Sequence, residues 1–172
     1  MILYIVWKTK CNDVARSHIL GIYKEINVAL KKCNDFRKPH VIKKEDIKIS
    51  NNGLLNIYCT SNPYDVCYCT QFEVDDDTTE VYFIKILEKD SGSGYFQKCF
   101  IYVWMDKNYL IDIANNYFSG EHNRKNECEY CANDKCRKKL IRDLKKNNNA
   151  SIDCTDFDGA YFEIWCRNLK LK

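Results

Sequence analysis

The sequence predicts an α+β fold, with a mixed or antiparallel sheet of about six to eight strands and about three helices. Apolar residues make up 45% of the 172 residues and aromatic residues 13%, which is too apolar a composition for a disordered chain. Several runs of β-branched and aromatic residues have the length of strands. Other segments space their apolar residues as an amphipathic helix does.

The first third of the chain is predicted to form two strands and a helix. Residues 4–7 and 19–23 are rich in β-branched and aromatic side chains, which favours strands. Residues 24–34 then carry apolar side chains at helical spacing. The apolar stripe of this helix consists of Ile26, Ala29, Leu30 and Cys33. Cys33 is therefore predicted to be a core residue.

The middle of the chain is predicted to be a series of strands. Ile47 and Ile49 begin it, and strand-like runs follow at residues 54–60, 66–74, 81–87 and 95–104. Residues 90–94, Asp-Ser-Gly-Ser-Gly, predict a hairpin between the last two runs.

Two further helices and a strand complete the predicted elements. Asp106 precedes the second helix, where its carboxylate can cap the free amides of the first turn. The stripe of that helix consists of Leu110, Ile113, Ala114 and Tyr117. A third helix starts near Asn133 or Asp134 and packs through Cys136, Leu140, Ile141 and Leu144. Residues 160–165 read as the last strand.

The length favours a single compact α+β domain, 1–172, with a subdivision near 90–94 or 119–127 as the alternative. Three predicted strands end on a tryptophan: Trp7, Trp104 and Trp165. This pattern indicates either three strands of one sheet, which is the favoured interpretation, or duplicated strand and helix units.

Short motifs in the first third of the chain carry a resemblance. Residues 4–7, Tyr-Ile-Val-Trp, are followed by 20–24, Leu-Gly-Ile-Tyr-Lys, and by a helix through 29–32, Ala-Leu-Lys-Lys. This arrangement resembles small uncharacterised strand–strand–helix domains found in phages and other viruses. Residues 71–74, Gln-Phe-Glu-Val, are similar to the acidic strand that closes those domains. The resemblance implies a compact α+β fold and says nothing about activity.

The composition also bears on origin and compartment. A bias toward Lys and Asn is typical of AT-rich genomes, including those of large DNA viruses, so we expect a viral protein. Residues 1–7 are apolar but run directly into Lys8, which is typical of a strand and not of a secretion signal. No apolar stretch approaches the roughly 18 residues that span a bilayer. We therefore expect no membrane partner and a place in the host cytoplasm or the virion.

The strongest candidate for chemistry is a cluster of one histidine and three cysteines: His122, Cys128, Cys131 and Cys136. A tetrahedral structural zinc takes ligands of these types and this number. The Cys-x2-Cys spacing of Cys128 and Cys131 lets two sulfurs approach one ion. Cys154 or Cys166 could replace the histidine. The alternative is that Cys136 packs on the helix stripe and that Cys128 and Cys131 are incidental thiols in a polar loop. Zinc is thus a candidate cofactor, and the length of the chain means that folding does not require it.

The other cysteines are predicted to be packing residues. The chain has eleven cysteines, an odd number, and they are expected to be mostly reduced thiols. Cys59 and Cys99 lie in strand-like runs and suit small core positions. Cys67 and Cys69 are predicted to point to opposite faces of one strand, one into the core and one into solvent. No pattern brings a histidine to these thiols, so a catalytic cysteine is not expected.

The predicted third helix is strongly basic. Its seven bases are Lys135, Arg137, Lys138, Lys139, Arg142, Lys145 and Lys146. A helix of this kind can neutralise several phosphates of a nucleic acid. The bases can also be the solvated face of an amphipathic helix, which is the favoured interpretation because the formal net charge of the chain is only +3.

These patterns predict a non-enzymatic protein that acts by binding a protein partner or a second copy of itself as a homodimer. The alternative is a zinc-stabilised nucleic-acid-binding protein that uses the cysteine cluster and the basic helix. An enzyme with a cysteine nucleophile ranks third.

Overall fold

The computed structural model describes residues 1–10, 13–36, 42–50, 52–55, 66–89, 96–119, 134–154 and 157–169. These residues form β1 (Ile2–Lys10), β2 (Asp13–Tyr23), α1 (Ile26–Phe36), β3 (Lys48–Ser50), β4 (Leu54–Leu55), β5 (Val66–Glu73), β6 (Glu80–Lys89), β7 (Phe96–Trp104), α2 (Lys107–Ser119), α3 (Asp134–Asn147), β8 (Asn149–Cys154) and β9 (Phe157–Asn168). A 3-10 turn at Lys44–Asp46 precedes β3.

The strands form two sheets. Sheet A has the order β2-β1-β5-β3, and sheet B has the order β4-β7-β6-β9-β8. β3 pairs with β5 in parallel, whereas the other described strand pairs are antiparallel. The α+β class is thus confirmed, but the described part of the chain contains nine strands in two sheets, where we expected one sheet of about six to eight.

The two sheets pack face to face between outer helices, so the order of layers is α1, sheet A, sheet B, then α2 with α3. Leu3, Ile5 and Trp7 of β1 point into the core between the sheets, while Val6 points toward α1. Because β1 is apolar on both faces, both faces of sheet A need cover. Sheet B is covered in the same way by the core between the sheets and by α2 and α3.

Both sheets begin with a hairpin and continue, after one helix in sheet A and two helices in sheet B, with two further strands. The last two strands pair in parallel in sheet A and antiparallel in sheet B. The matching orders are β2-β1-β5-β3 and β7-β6-β9-β8, and β4 lies outside β7. Trp7 lies in sheet A, and Trp104 and Trp165 lie in sheet B. The three tryptophans therefore do not share a sheet, and the favoured interpretation of them is wrong. They also occupy non-equivalent positions in the two strand orders.

The boundaries of α2 and α3 follow from local chemistry. The Asn108 backbone amide donates to Asp106 Oδ1 at 2.8 Å, which is the cap expected for α2. Asn148 has a φ of 60°, and its amide donates to the Leu144 carbonyl at 3.1 Å, which ends α3. β8 follows at once and was not predicted, although its residues, Asn-Ala-Ser-Ile-Asp-Cys, alternate polar and apolar side chains.

Some predicted features lie outside the described residues. These are the hairpin at 90–94, the far end of the run at 54–60, Cys59, and residues 120–127 of the alternative domain boundary. The predictions for them stay predictions.

Candidate nucleic-acid interface

α3 is anchored to sheet B along one narrow stripe. Leu140 and Leu144, four residues apart, are 2% and 0% exposed and belong to the core shared with α2 and sheet B. Because residues four apart share one face of a helix, the basic residues between and beside these leucines are directed away from the core. The mainly charged composition of α3 leaves it few other apolar anchors.

A groove of about 630 Å³ runs beside α3, where α3 meets α2. We call it the basic groove, and its lining consists of Asn115, Arg137, Lys138, Ile141, Arg142, Lys145 and Lys146. Arg137 is half-buried, and its Nε donates to Asn115 Oδ1 at 3.1 Å. This hydrogen bond joins α2 and α3 at the groove.

The structure places all seven predicted bases on α3. Five of them line the basic groove, whereas Lys135 and Lys139 are exposed but lie outside its lining. The groove also takes Asn115 from α2, which the sequence did not indicate. No sequence pattern marks a single polar side chain of α2 as part of a site. Only the packing of α3 beside α2 shows that it lines the groove.

Few acidic residues of α3 offset its positive charge. α3 carries seven bases against Asp134 and Asp143, which gives a formal charge of +5. Arg142 Nε contacts Asp143 Oδ1 at 3.2 Å, but the Arg142 side chain is 70% exposed, so this pair adds little stability. Lys145 and Lys146 lie in the last turn, where the helix dipole favours cations. Lys107 donates to Asn148 Oδ1 and extends the basic surface past the end of α3.

The predicted zinc ligands lie mostly outside the described residues. His122, Cys128 and Cys131 fall there, and Cys136 is half-buried in the first turn of α3. Across the part of the chain that the structure describes, no group of three or more His, Cys, Asp or Glu side chains is placed to hold a metal ion. Cys166, a suggested replacement ligand, is exposed beside Tyr82 and Glu80. The zinc site stays a prediction.

Four described cysteines are buried core residues. Cys33 and Cys99 are 0% and 4% exposed, as predicted. Cys67 and Cys69 are each 2% exposed and both pack toward α1. The prediction of one surface thiol is wrong, because residues two apart on a strand lie on the same face.

Burial also affects the chemistry of these thiols. Desolvation, with a contribution from Cys67, raises the pKa of Cys69 to about 12. Desolvation raises the pKa of Cys99 to about 11 although Lys85 and Ser17 act in the opposite direction. Both side chains are neutral thiols near pH 7, a state that makes cysteine a poor nucleophile.

Comparison of the chain with protein-family models, with curated proteins and with solved structures found no match. Within the described ranges, none of the helices has the length and apolar character needed to cross a membrane. The function of this chain is therefore inferred from its own geometry.

Proposed function

We propose that the protein is a non-catalytic binding protein whose basic groove takes the phosphate backbone of a nucleic acid. The observation that carries the proposal is that five bases of α3 line one groove, beside a helix that Leu140 and Leu144 anchor in the core. Viral origin and a place in the host cytoplasm or the virion stay predictions, supported by composition and by the resemblance alone.

The spacing of the bases suits a phosphate backbone. Lys138, Arg142, Lys145 and Lys146 lie at i, i+4, i+7 and i+8, which is about 12 Å of helix at 1.5 Å per residue. Duplex DNA carries about one charge per 1.7 Å of its axis, so this length faces several phosphates. Aliphatic Ile141 and the hydrogen-bonded Asn115 and Arg137 form the rest of the lining.

The chemistry of the lining favours contact with the backbone over reading of bases. The lining described above has no aromatic side chain on which an unpaired base could stack. Lysine contacts phosphates as a point charge, which positions a nucleic acid without reading its sequence. We therefore expect binding with little sequence preference.

Salt dependence tests this function. Five groove bases are expected to give a slope of about −4 to −5 in a plot of log K against log salt concentration for duplex DNA. Affinity should then fall on the order of 10²–10³-fold between about 50 and 200 mM salt. Fluorescence anisotropy with a labelled duplex measures this slope. Absence of binding at low salt, or a slope near zero, would contradict the proposal.

Self-association through an edge of sheet A is a second candidate. β3 is the edge strand of sheet A beside β5, and its Ile49 is 69% exposed. An exposed apolar residue on a strand edge is a site at which a second copy can pair. We expect sedimentation velocity to detect a dimer that Ile49→Lys disrupts and Val28→Lys, at an exposed position of α1 away from that edge, does not. A wild-type monomer at every concentration would exclude this candidate.

A further inference from the structure

Two buried cysteines lie in contact beneath α1, on the side of the molecule opposite the basic groove. Cys33 Sγ of α1 lies 3.1 Å from Cys67 Sγ of β5. The two residues are 0% and 2% exposed. Both side chains are thiols and not halves of a disulfide. The separation is less than the usual contact of two sulfur atoms and about 1 Å longer than a disulfide bond.

The contact follows from how α1 covers sheet A. Ala29 and Cys33, four residues apart, are the buried residues of α1. Asn34 fixes the end of the helix, because its Nδ2 donates to the Ile42 carbonyl at 3.2 Å and its Oδ1 accepts from the Ile42 amide at 2.7 Å. The helix position that holds Cys33 over β5 is therefore set by packing and by two hydrogen bonds.

We propose that Cys33 and Cys67 form a redox site, in which a peroxide converts two thiols into a disulfide that ties α1 to β5. In the first step one sulfur attacks the O–O bond of hydrogen peroxide, forms a sulfenic acid and releases water. In the second step the other sulfur attacks that sulfenic sulfur, forms the S–S bond and releases a second water. Two thiols and one peroxide thus give one disulfide and two waters.

The geometry favours a disulfide between Cys33 and Cys67 over one between Cys67 and Cys69. Cys69 lies on the same face of β5 as Cys67, and two residues along a strand are separated by about 6.6 Å. A disulfide needs Cβ atoms about 3.5–4.5 Å apart, so Cys67 cannot join Cys69 without distortion of the strand. Cys33 lies on α1, which packs against β5, so the spacing of residues along the strand does not keep its sulfur away from Cys67.

Access to the pair is through local opening of α1. The helix fully buries only Ala29 and Cys33, while Val28 and Phe36 are 50% and 46% exposed. A segment with so few buried side chains opens at a lower free energy than the sheets beneath it. Oxidation is expected to be slow in the folded protein and to stabilise it afterwards, because the disulfide closes the chain between residues 33 and 67.

Peptide mapping after peroxide treatment tests the site. The folded protein is treated with hydrogen peroxide, its remaining thiols are alkylated in denaturant, and it is cleaved with chymotrypsin. Tyr64 and Tyr68 flank Cys67 in sequence, so cleavage after these tyrosines separates Cys67 from Cys59 and Cys69. We expect one cross-linked pair of peptides containing Cys33 and Cys67, with a mass about 2 Da below the sum of the two free thiol peptides.

Variants and stability provide the controls. The oxidised protein should melt about 5–10 °C above the reduced protein. Cys67→Ala and Cys33→Ser should both abolish this increase, whereas Cys99→Ala, at another buried cysteine, should retain it. DNA binding should be equal before and after oxidation, which separates this site from the basic groove. Cross-links at other cysteines only, or none while circular dichroism shows a folded protein, would overturn the proposal.

Discussion

Replacement of Lys138, Arg142, Lys145 and Lys146 by glutamine is expected to weaken duplex DNA binding about 100-fold or more at low salt. These bases line one groove. Each phosphate contact that is lost reduces the number of counterions released on binding. The slope of log K against log salt concentration should become shallower by about 4. Fluorescence anisotropy of wild type and variant across a salt series measures both changes.

A matched variant distinguishes the effect of the groove bases on DNA affinity from the effect of net charge. Lys24, Lys31, Lys43 and Lys44 are exposed and lie outside the groove. Their replacement by glutamine removes the same charge, and it should change the affinity by less than about threefold, because long-range attraction is screened beyond roughly 10 Å. Equal losses in the two variants would show that binding follows total charge and would refute a specific groove.

Trp7→Ala is expected to reduce the free energy of unfolding by about 4 kcal/mol. Trp7 is 0% exposed between the two sheets. Its ring stacks on Tyr68 with centroids 4.4 Å apart, and its Nε1 donates to Thr70 Oγ1 at 3.1 Å. The substitution leaves a cavity between the sheets and a buried threonine hydroxyl without this donor. Urea unfolding followed by circular dichroism measures the loss.

Trp7→Phe is the control for this prediction. It keeps a ring that can stack on Tyr68 but loses the hydrogen bond to Thr70, so we expect a smaller loss of about 1–2 kcal/mol. Thr70→Val should cost a similar amount, and the double variant should cost less than the sum of the two single variants. A loss below about 1 kcal/mol for Trp7→Ala would show that the sheets do not pack around this residue.

The fold was predictable where local pattern and tertiary position agree. The helical spacing of Ile26, Ala29, Leu30 and Cys33 predicted α1, and Asp106 predicted the start of α2. β8 was missed although its six residues alternate polar and apolar side chains, and its Ala150 is buried in the core that α2, α3 and sheet B share. Ala150 pairs with Phe162 of β9, and the sequence of β8 alone does not specify that partner.

The number of sheets was not predictable from these patterns. The continuous apolar run at residues 2–7 of β1 shows that both faces are apolar, but it cannot show whether a helix or another sheet covers each face. The structure assigns one face to α1 and the other to sheet B. The tryptophans illustrate the difficulty, because strands of similar sequence lie in different sheets.

The sequence by itself determined the α+β class, the three helices and the run of bases on α3, because each depends on residues that are close in the chain. Only the tertiary structure decided that two sheets pack together, that Asn115 of α2 meets Arg137 of α3, and that Cys33 meets Cys67. The cysteines are 34 positions apart, and local periodicity cannot report a contact that exists only after α1 has packed on sheet A.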